Sequence, residues 1–376
     1  MSTGAIVFWS AAALIGYAYV LYPLLVLLLA RWFGRAPRAA PCTPSLTVII
    51  AAYNESARIG TRVRDVLAQD YPHEKLQVIV VDDGSSDATW KAAEVGDPRV
   101  RVIRLAYNIG KAAALAIAID ASDAEIIAFA DARQRFAPDA LRKLMEPFAD
   151  PHVGAVSGEL VIESAPGTAA DIGLYWRMEK VLRDNEARLG WVHGVSGAIH
   201  AVRREWVQAP PPGTILDDMY LPLSVVFAGA RVAMAREAVA LDYASAETWE
   251  EFRRKLRTLA GNWQLIARMP RLANPFANPV FFAWFSHKFL RLIVPWALLA
   301  MLIACALAWR QPFYRAALIV QLAGYAGAAF ALLRPRFGAR VPLLRTIGSF
   351  VMLNAAALLS LPACLALDPR GLWKSH

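Results

Sequence analysis

The sequence predicts an α/β domain, a parallel sheet with helices on both faces, joined to α-helical transmembrane segments. Three observations carry this. In the first half of a block from about residue 42 to 270, short β-branched runs alternate with helical stretches, the mark of a parallel sheet with both faces covered. Four uncharged runs flank that block, Ala5–Ala30 before it and Leu292–Trp309, Ala316–Leu333 and Thr346–Leu367 after it. Finally, 57% of the 376 residues are hydrophobic and 19% charged, and the mean hydropathy is +0.36. Soluble domains are about 45–50% apolar and about 25% charged. Disorder is excluded by the apolar content. Three cysteines in 376 residues exclude a disulfide scaffold. No Cys or His spacing forms a zinc site.

Ala5–Ala30 is long enough to cross a hydrocarbon core, which takes roughly 20 apolar residues. A signal peptide is the alternative, but such segments have an apolar region of about 7–15 residues behind a basic start. Here no Lys or Arg precedes the run, and Arg31, Arg35 and Arg38 follow it. The positive-inside rule then places the middle of the chain in the cytoplasm. The loop Leu333–Arg345 carries four arginines and Trp309–Arg315 only two, which agrees. The expectation is a multi-pass protein of the inner (plasma) membrane, with both ends outside. The net charge of +9 is then largely a topology signal, facing membrane lipids and not nucleic acid. Pro275–Phe289, rich in aromatics and broken by Pro275, Pro279, His287 and Lys288, reads as a helix lying in the interface, or else as the start of the next span. The chain thus divides at 1–41, 42–272 and 273–376.

In the central block, Leu46–Ala51, Gln77–Val81, Val100–Leu105 and Glu125–Ala130 read as strands, with helices over Arg58–Gln69, Ala88–Val95 and Lys111–Ala121. Parallel sheets bind ligands beyond the carboxyl ends of their strands. A polar cluster follows each strand: Asn54-Glu55, Asp82 to Asp87, Asn108 with Gly110 and Lys111, and Asp131. Any one alone reads as a turn or a helix cap. Four at successive strand ends indicate a ligand site.

The segments Val48–Glu55, Val81–Asp87, Asn108–Ala112, Phe129–Asp131, Gly194–Gly197 and Asp217-Asp218 together resemble the membrane-bound family 2 glycosyltransferases of GT-A fold. The branch is that of the bacterial polysaccharide, hyaluronan, chitin and cellulose synthases. The resemblance implies a Rossmann-like GT-A domain that takes a nucleotide diphospho-sugar, with a UDP-sugar expected. It places Ala52, Tyr53, Glu55 and Asp83 at the nucleoside. Lys111, at a helix start, would meet phosphate, although a solvated helix end is the plainer reading. Asp131 matches the first acid of the family's Asp-x-Asp motif and would hold Mg²⁺ or Mn²⁺. The third position is Arg133 instead of an acid, so one metal ligand is lost and Arg133 would supply charge near the diphosphate or face solvent.

The same resemblance makes Asp218 the catalytic base of an inverting transfer, with Asp217 beside it; either can also N-cap the following helix. Arg254 and Arg257 stand where processive synthases have Gln-x-x-Arg-Trp, with Thr258 in place of the Trp. They would contact the diphosphate, or form a basic face on anionic lipid. Gly194, Ser196 and Gly197 fall on the family's acceptor loop, and otherwise read as a turn into a strand. Trp263, with Trp176 and Trp191, is a candidate sugar platform, or a buried or interfacial tryptophan. The implied function extends a cell-surface or extracellular polysaccharide or a lipid-linked glycan, with polysaccharide-assembly partner proteins. The alternatives are transfer to polyprenyl phosphate, a non-catalytic nucleotide-sugar sensor and a glycan translocation component.

Overall fold

The computed structural model describes residues 2–163, 174–243, 248–334 and 341–366. Its centre is an eight-stranded sheet ordered β3-β2-β1-β4-β7-β6-β8-β5. The strands are β1 (Leu46–Ala52), β2 (Leu76–Asp82), β3 (Val100–Arg104), β4 (Ile126–Ala130), β5 (Arg135–Phe136), β6 (Val153–Glu163), β7 (Ile199–Arg203) and β8 (Arg231–Tyr243). The first four pair in parallel, as the β/α alternation requires. Beyond β4 the sheet is mixed, because the alternation stops there: β7 runs antiparallel to both β4 and β6, and β5 antiparallel to β8. The parallel pairing expected of the first four strands is found, and the sheet continues beyond them with mixed pairing.

β1 is buried along its whole length and β2 at all but one residue, which is why both read as continuous apolar runs. Alternate residues divide between two cores. Val48, Ile50, Val78 and Val80 pack with Val63 and Val66 of the helix Ile59–Leu67. Ile49, Val81, Ile127 and Phe129 face Leu115 and Ala118 of the helix Lys111–Asp120. The second core continues through Leu265, Leu272, Val280 and Trp284, so it crosses the boundary expected at 272/273.

Among the described residues, four helices are long and apolar enough to cross a membrane: Thr3–Phe33, Phe281–Leu307, Pro312–Leu333 and Pro342–Ala366. The first widens into a π turn at Tyr17–Leu21. Pro23, which has no N–H to offer the Tyr19 carbonyl four residues back, follows directly. The separate interfacial helix over 275–289 is not found. Residues 275–280 form turns, and Phe281–Phe289 run on into Leu290–Leu307 as one helix. His287, a break in the apolar pattern, lies against two carboxylates, with Nδ1 2.9 Å from Glu186 Oε1 and Nε2 3.0 Å from Glu179 Oε2.

Candidate active site

The carboxyl ends of β1, β2 and β4 meet the start of two helices at a cleft. The loop after β1 is tied to the loop after β2: Asn54 N–H donates to Ser85 Oγ at 2.9 Å, Ser86 N–H to Asn54 Oδ1 at 2.9 Å, and Glu55 N–H to Thr89 Oγ1 at 2.8 Å. Asn54 takes φ 56° to make this crossing, a left-handed conformation that Asn tolerates. Ala52 ends β1 fully buried, and Tyr53 and Glu55 are half-buried behind it.

Asp83 is buried, and both of its oxygens are engaged. Oδ1 accepts from Ile109 N–H at 2.8 Å, and Oδ2 from Asn108 Nδ2 and Gly110 N–H, each at 2.9 Å. Burial pushes its pKa up, while the two backbone N–H groups oppose the shift. The structure thus uses Asp83 to shape the loop that presents Lys111. Gly84, at φ +66°, lies so close to that loop that a Cβ would sit 2.3 Å from the Tyr107 carbonyl carbon.

Lys111 begins its helix at the centre of the cleft. Its Nζ is 3.0 Å from Asp131 Oδ1 and 3.2 Å from Asp217 Oδ2. Burial opposes its charge, but Asp131, Asp217 and Asp218 prevail and hold its pKa above the ordinary lysine value. Asp131 is pushed up by burial and pulled down further by Lys111, His200 and Arg257, so it lies below the usual carboxylate range. Arg62, almost fully buried, fixes the backbone of Asp131 by donating Nε to its carbonyl at 3.1 Å.

Asp217 and Asp218 open the helix Asp217–Phe227. Asp218 is raised to about 6, by burial first and then by Asp217, with Lys111 opposing. The Gly194–Gly197 loop lies against it: Val195 N–H donates to the Asp218 carbonyl at 2.9 Å. A Cβ on Gly197 would stand 3.4 Å from Asp218 Oδ2, and one on Gly194 3.1 Å from Met219 Cγ. Ser196 is held by its N–H on Ser157 Oγ at 2.9 Å. The resulting cavity, about 150 Å³, is lined by Lys111, Asp131, Gly197, Asp217, Asp218 and Arg257 among others.

Three expected residues are placed elsewhere. Arg133 reaches away to an ion pair with Asp242 of β8. Arg254 pairs with Glu251 one turn back on its own helix. Trp263 donates Nε1 to Ser360 Oγ at 3.0 Å and packs on Phe289, so it joins the spans and does not line the cleft. Trp191 packs edge-on to Phe282, and the side chain of Trp176 lies outside the described residues.

Sequence reasoning missed His200. It is 1% exposed, stacks on Phe129, and has Nδ1 2.9 Å from the Ser196 carbonyl. Burial lowers its pKa to about 4, so the ring is neutral, Nδ1–H donates to that carbonyl, and Nε2 keeps a bare lone pair with no partner. Its only sequence signal was a histidine inside an apolar strand.

Asp131 and Asp217 would meet a divalent cation in exchange with the Lys111 ammonium, which bonds both. The side chain of Asp131 is 38% exposed toward the cleft and that of Asp217 is near it across Lys111. Arg133 is held by the buried Asp242 of β8, and the guanidinium that lines the cavity is that of Arg257. Hard cations such as Mg²⁺ take few protein carboxylates when phosphate oxygens and waters complete the shell.

Fold and cleft together have the GT-A architecture of the glycosyltransferases, and the comparisons with known proteins agree. The family described as "Glycosyl transferase family 2" matches residues 47–209. An N-acetylglucosaminyltransferase of Bradyrhizobium elkanii is 36% identical over 129 residues, 33% of this chain and 70% of that one. Another, from Mesorhizobium japonicum, is 32% identical over 227 residues, 55% of this chain and 53% of that protein. Among solved structures, a mannosyltransferase from Pyrobaculum calidifontis, in complex with GDP-Man and Mn²⁺, superposes with a TM-score of 0.72 at 27% identity. The match covers 96% of this chain and 99% of that one. The chain belongs to glycosyl transferase family 2. It spans about half the length of the first curated relatives it matches.

Proposed function

We propose that the protein is an inverting glycosyltransferase of the inner membrane, with its catalytic domain in the cytoplasm. It takes a UDP-sugar and adds the sugar to a growing glycan or lipid-linked acceptor. UDP-N-acetylglucosamine is the first donor to test, because the curated relatives are N-acetylglucosaminyltransferases; the mannosyltransferase neighbour makes GDP-mannose the second.

One observation carries the reading. Asp218, its pKa lifted to about 6, stands beside the Gly194–Gly197 loop on one side and the Lys111–Asp131 pair on the other. A carboxylate with that pKa is ionised at neutral pH and basic enough to take a proton from an attacking hydroxyl. The acceptor oxygen then attacks the anomeric carbon from the face opposite the leaving group, which inverts it. The nucleoside diphosphate leaves without a general acid once its charge is met. Lys111 and Arg257 line the cleft where they supply that charge, while Ala52, Tyr53 and Glu55 border the nucleoside end. Asp131 would hold a divalent cation, Mg²⁺ or Mn²⁺, which neutralises the diphosphate when bound.

The test is release of nucleoside diphosphate by the purified full chain in nanodiscs containing a membrane lipid extract, with each donor, beside Asp218→Asn. Turnover with one donor that falls at least about 100-fold in Asp218→Asn is the expected result. Equal turnover in Asp218→Asn would remove Asp218 as the base.

A further inference from the structure

Residues 207–216, which lead into the helix of Asp217 and Asp218, run as turns and irregular backbone. Backbone outside a sheet or helix must find other partners for its polar groups. Here they come from one face of the helix Thr248–Arg268. Gln264 grips the segment with both ends of its amide: Oε1 accepts from Ile215 N–H at 2.9 Å, and Nε2 donates to the Gly213 carbonyl at 2.8 Å. One turn on, Arg268 Nη1 donates to the Pro212 carbonyl at 2.9 Å and to Thr214 Oγ1 at 3.0 Å. At Gly261 the helix comes so close that a Cβ would stand 2.6 Å from Leu216 Cγ. The Leu216 carbonyl in turn accepts from Tyr220 N–H at 3.0 Å, so the first turn of the Asp217–Phe227 helix moves with this segment. Arg257 lines the cavity with Asp217 and Asp218. Residues 257, 261, 264 and 268 follow at spacings of four, three and four, which puts them on one helix face. Arg257 and Gln264 are two turns apart, about 10 Å along the axis.

We propose that Gln264 is a positioning residue for the transfer: by fixing Gly213 and Ile215 it holds Asp218 at a set distance from Arg257. The inference rests on the reading of Asp218 as the base and Arg257 as a counter-charge for the diphosphate. Gly213 and Ile215 form part of the cavity wall, and the amide acts through that wall. One rigid helix face then carries both the charge that meets the leaving group and the grip on the segment that ends at the base. An in-line displacement needs base and leaving group at a fixed separation on opposite sides of the anomeric carbon. Trp263, the neighbour of Gln264, donates to Ser360 of the fourth span at 3.0 Å, so the helix that sets this separation is itself anchored.

The experiment compares the purified full chain in nanodiscs with Gln264→Leu, which keeps the bulk of the side chain and removes both hydrogen bonds. Two readouts are taken: hydrogen–deuterium exchange of the peptide covering 211–220, and kcat with donor KM for nucleoside diphosphate release, per folded chain. Exchange in that peptide should rise about ten-fold or more, the mark of a local opening, and stay unchanged in the strands Leu46–Ala52 and Leu76–Asp82. The kcat should fall about ten-fold or more, because displacing a reacting group is costly. The donor KM should stay within about two-fold, because Lys111 and Arg257 remain to meet the diphosphate. Arg268→Gln loosens the same segment from a half-buried position and carries the test if Gln264→Leu fails to fold; exchange should rise and kcat fall there too. Unchanged exchange in both variants removes the grip. Raised exchange with unchanged kcat overturns the positioning role, and a higher donor KM with unchanged kcat places Gln264 at the donor instead. If the unaltered chain releases no nucleoside diphosphate with any donor, the transferase reading fails, while the exchange data still decide whether Gln264 holds the segment of Asp217 and Asp218.

Discussion

Lys111 and Asp217 act on the same base with opposite signs, and removing each in turn should move the pH profile in opposite directions. Asp218 has a pKa of about 6, set by burial, raised by Asp217 and lowered by Lys111. The carboxylate must be ionised to accept a proton, so activity is present above about pH 6 and falls about ten-fold per unit below it. Lys111→Gln deletes a cation that stands 3.2 Å from Asp217 and also acts on Asp218. A unit charge at about 6 Å and an effective dielectric near 20 is worth about 3 kcal/mol, or about two pH units. The acid limb should therefore rise from near 6 toward about 8. Asp217→Asn deletes the neighbouring negative charge, and the limb should fall below 6. The assay is kcat/KM for nucleoside diphosphate release from pH 5 to 9 at fixed ionic strength. A limb that stays put in both variants, or shifts the same way in both, would refute the electrostatic account of Asp218.

Three further outcomes are expected. Gly197→Ala places a Cβ 3.4 Å from Asp218 Oδ2, in ordinary contact with the carboxylate and in the space beside it, so the fold and the donor KM should be kept while the acceptor KM rises; an unchanged acceptor KM would show that no acceptor atom occupies that space. Chelation with EDTA should stop turnover, and Mg²⁺ or Mn²⁺ should restore it, whereas undiminished turnover in EDTA would leave Lys111 and Arg257 as the sole counter-charge. His287→Ala removes the imidazole that bridges Glu179 and Glu186 and leaves those buried carboxylate oxygens short of a hydrogen-bond partner, which should cost about 1–3 kcal/mol, measured as a lower Tm in detergent; an unchanged Tm would show that the bridge does not hold the helices together.

The sheet half made by β1 to β4 was legible because burial on both faces writes itself as β-branched runs, and each strand here ends at its polar cluster. The mixed half was not, since β6 and β8 join across two register shifts at Val153/Ala155 and Ser157/Glu159, which no periodicity reports. Lys111, Asp131, Gly197, Asp217, Asp218 and Arg257 were read as site residues and share one cavity. Arg133, Arg254 and Trp263 were read the same way and are engaged elsewhere, because partners distant in sequence or one turn away decide where a long side chain ends. Asp242 is 109 residues from Arg133 and Ser360 is 97 from Trp263. Asp83 illustrates a subtler gap: the motif placed it at the nucleoside, and in the structure its carboxylate accepts from three donors of the 108–110 loop.

The charged residues that looked like interruptions of an apolar segment join the membrane helices to the site. Tyr22 of the first span donates its hydroxyl to Glu186 at 2.6 Å. Glu186, on the helix Leu174–Leu189, meets His287 of the second span, which also meets Glu179, and Glu179 pairs with Arg291 one turn further on. His193, one residue before the acceptor loop, packs edge-on against His287. A carboxylate buried as deeply as Glu186 persists only with its partners in place, so the two spans, this helix and the start of the acceptor loop are held in one arrangement. A shift of the second span would change His287 and Lys288 together. The geometry of the acceptor loop beside Asp218 is therefore set partly by helices long enough to lie in the bilayer, and the catalytic domain and the spans act as one structural unit.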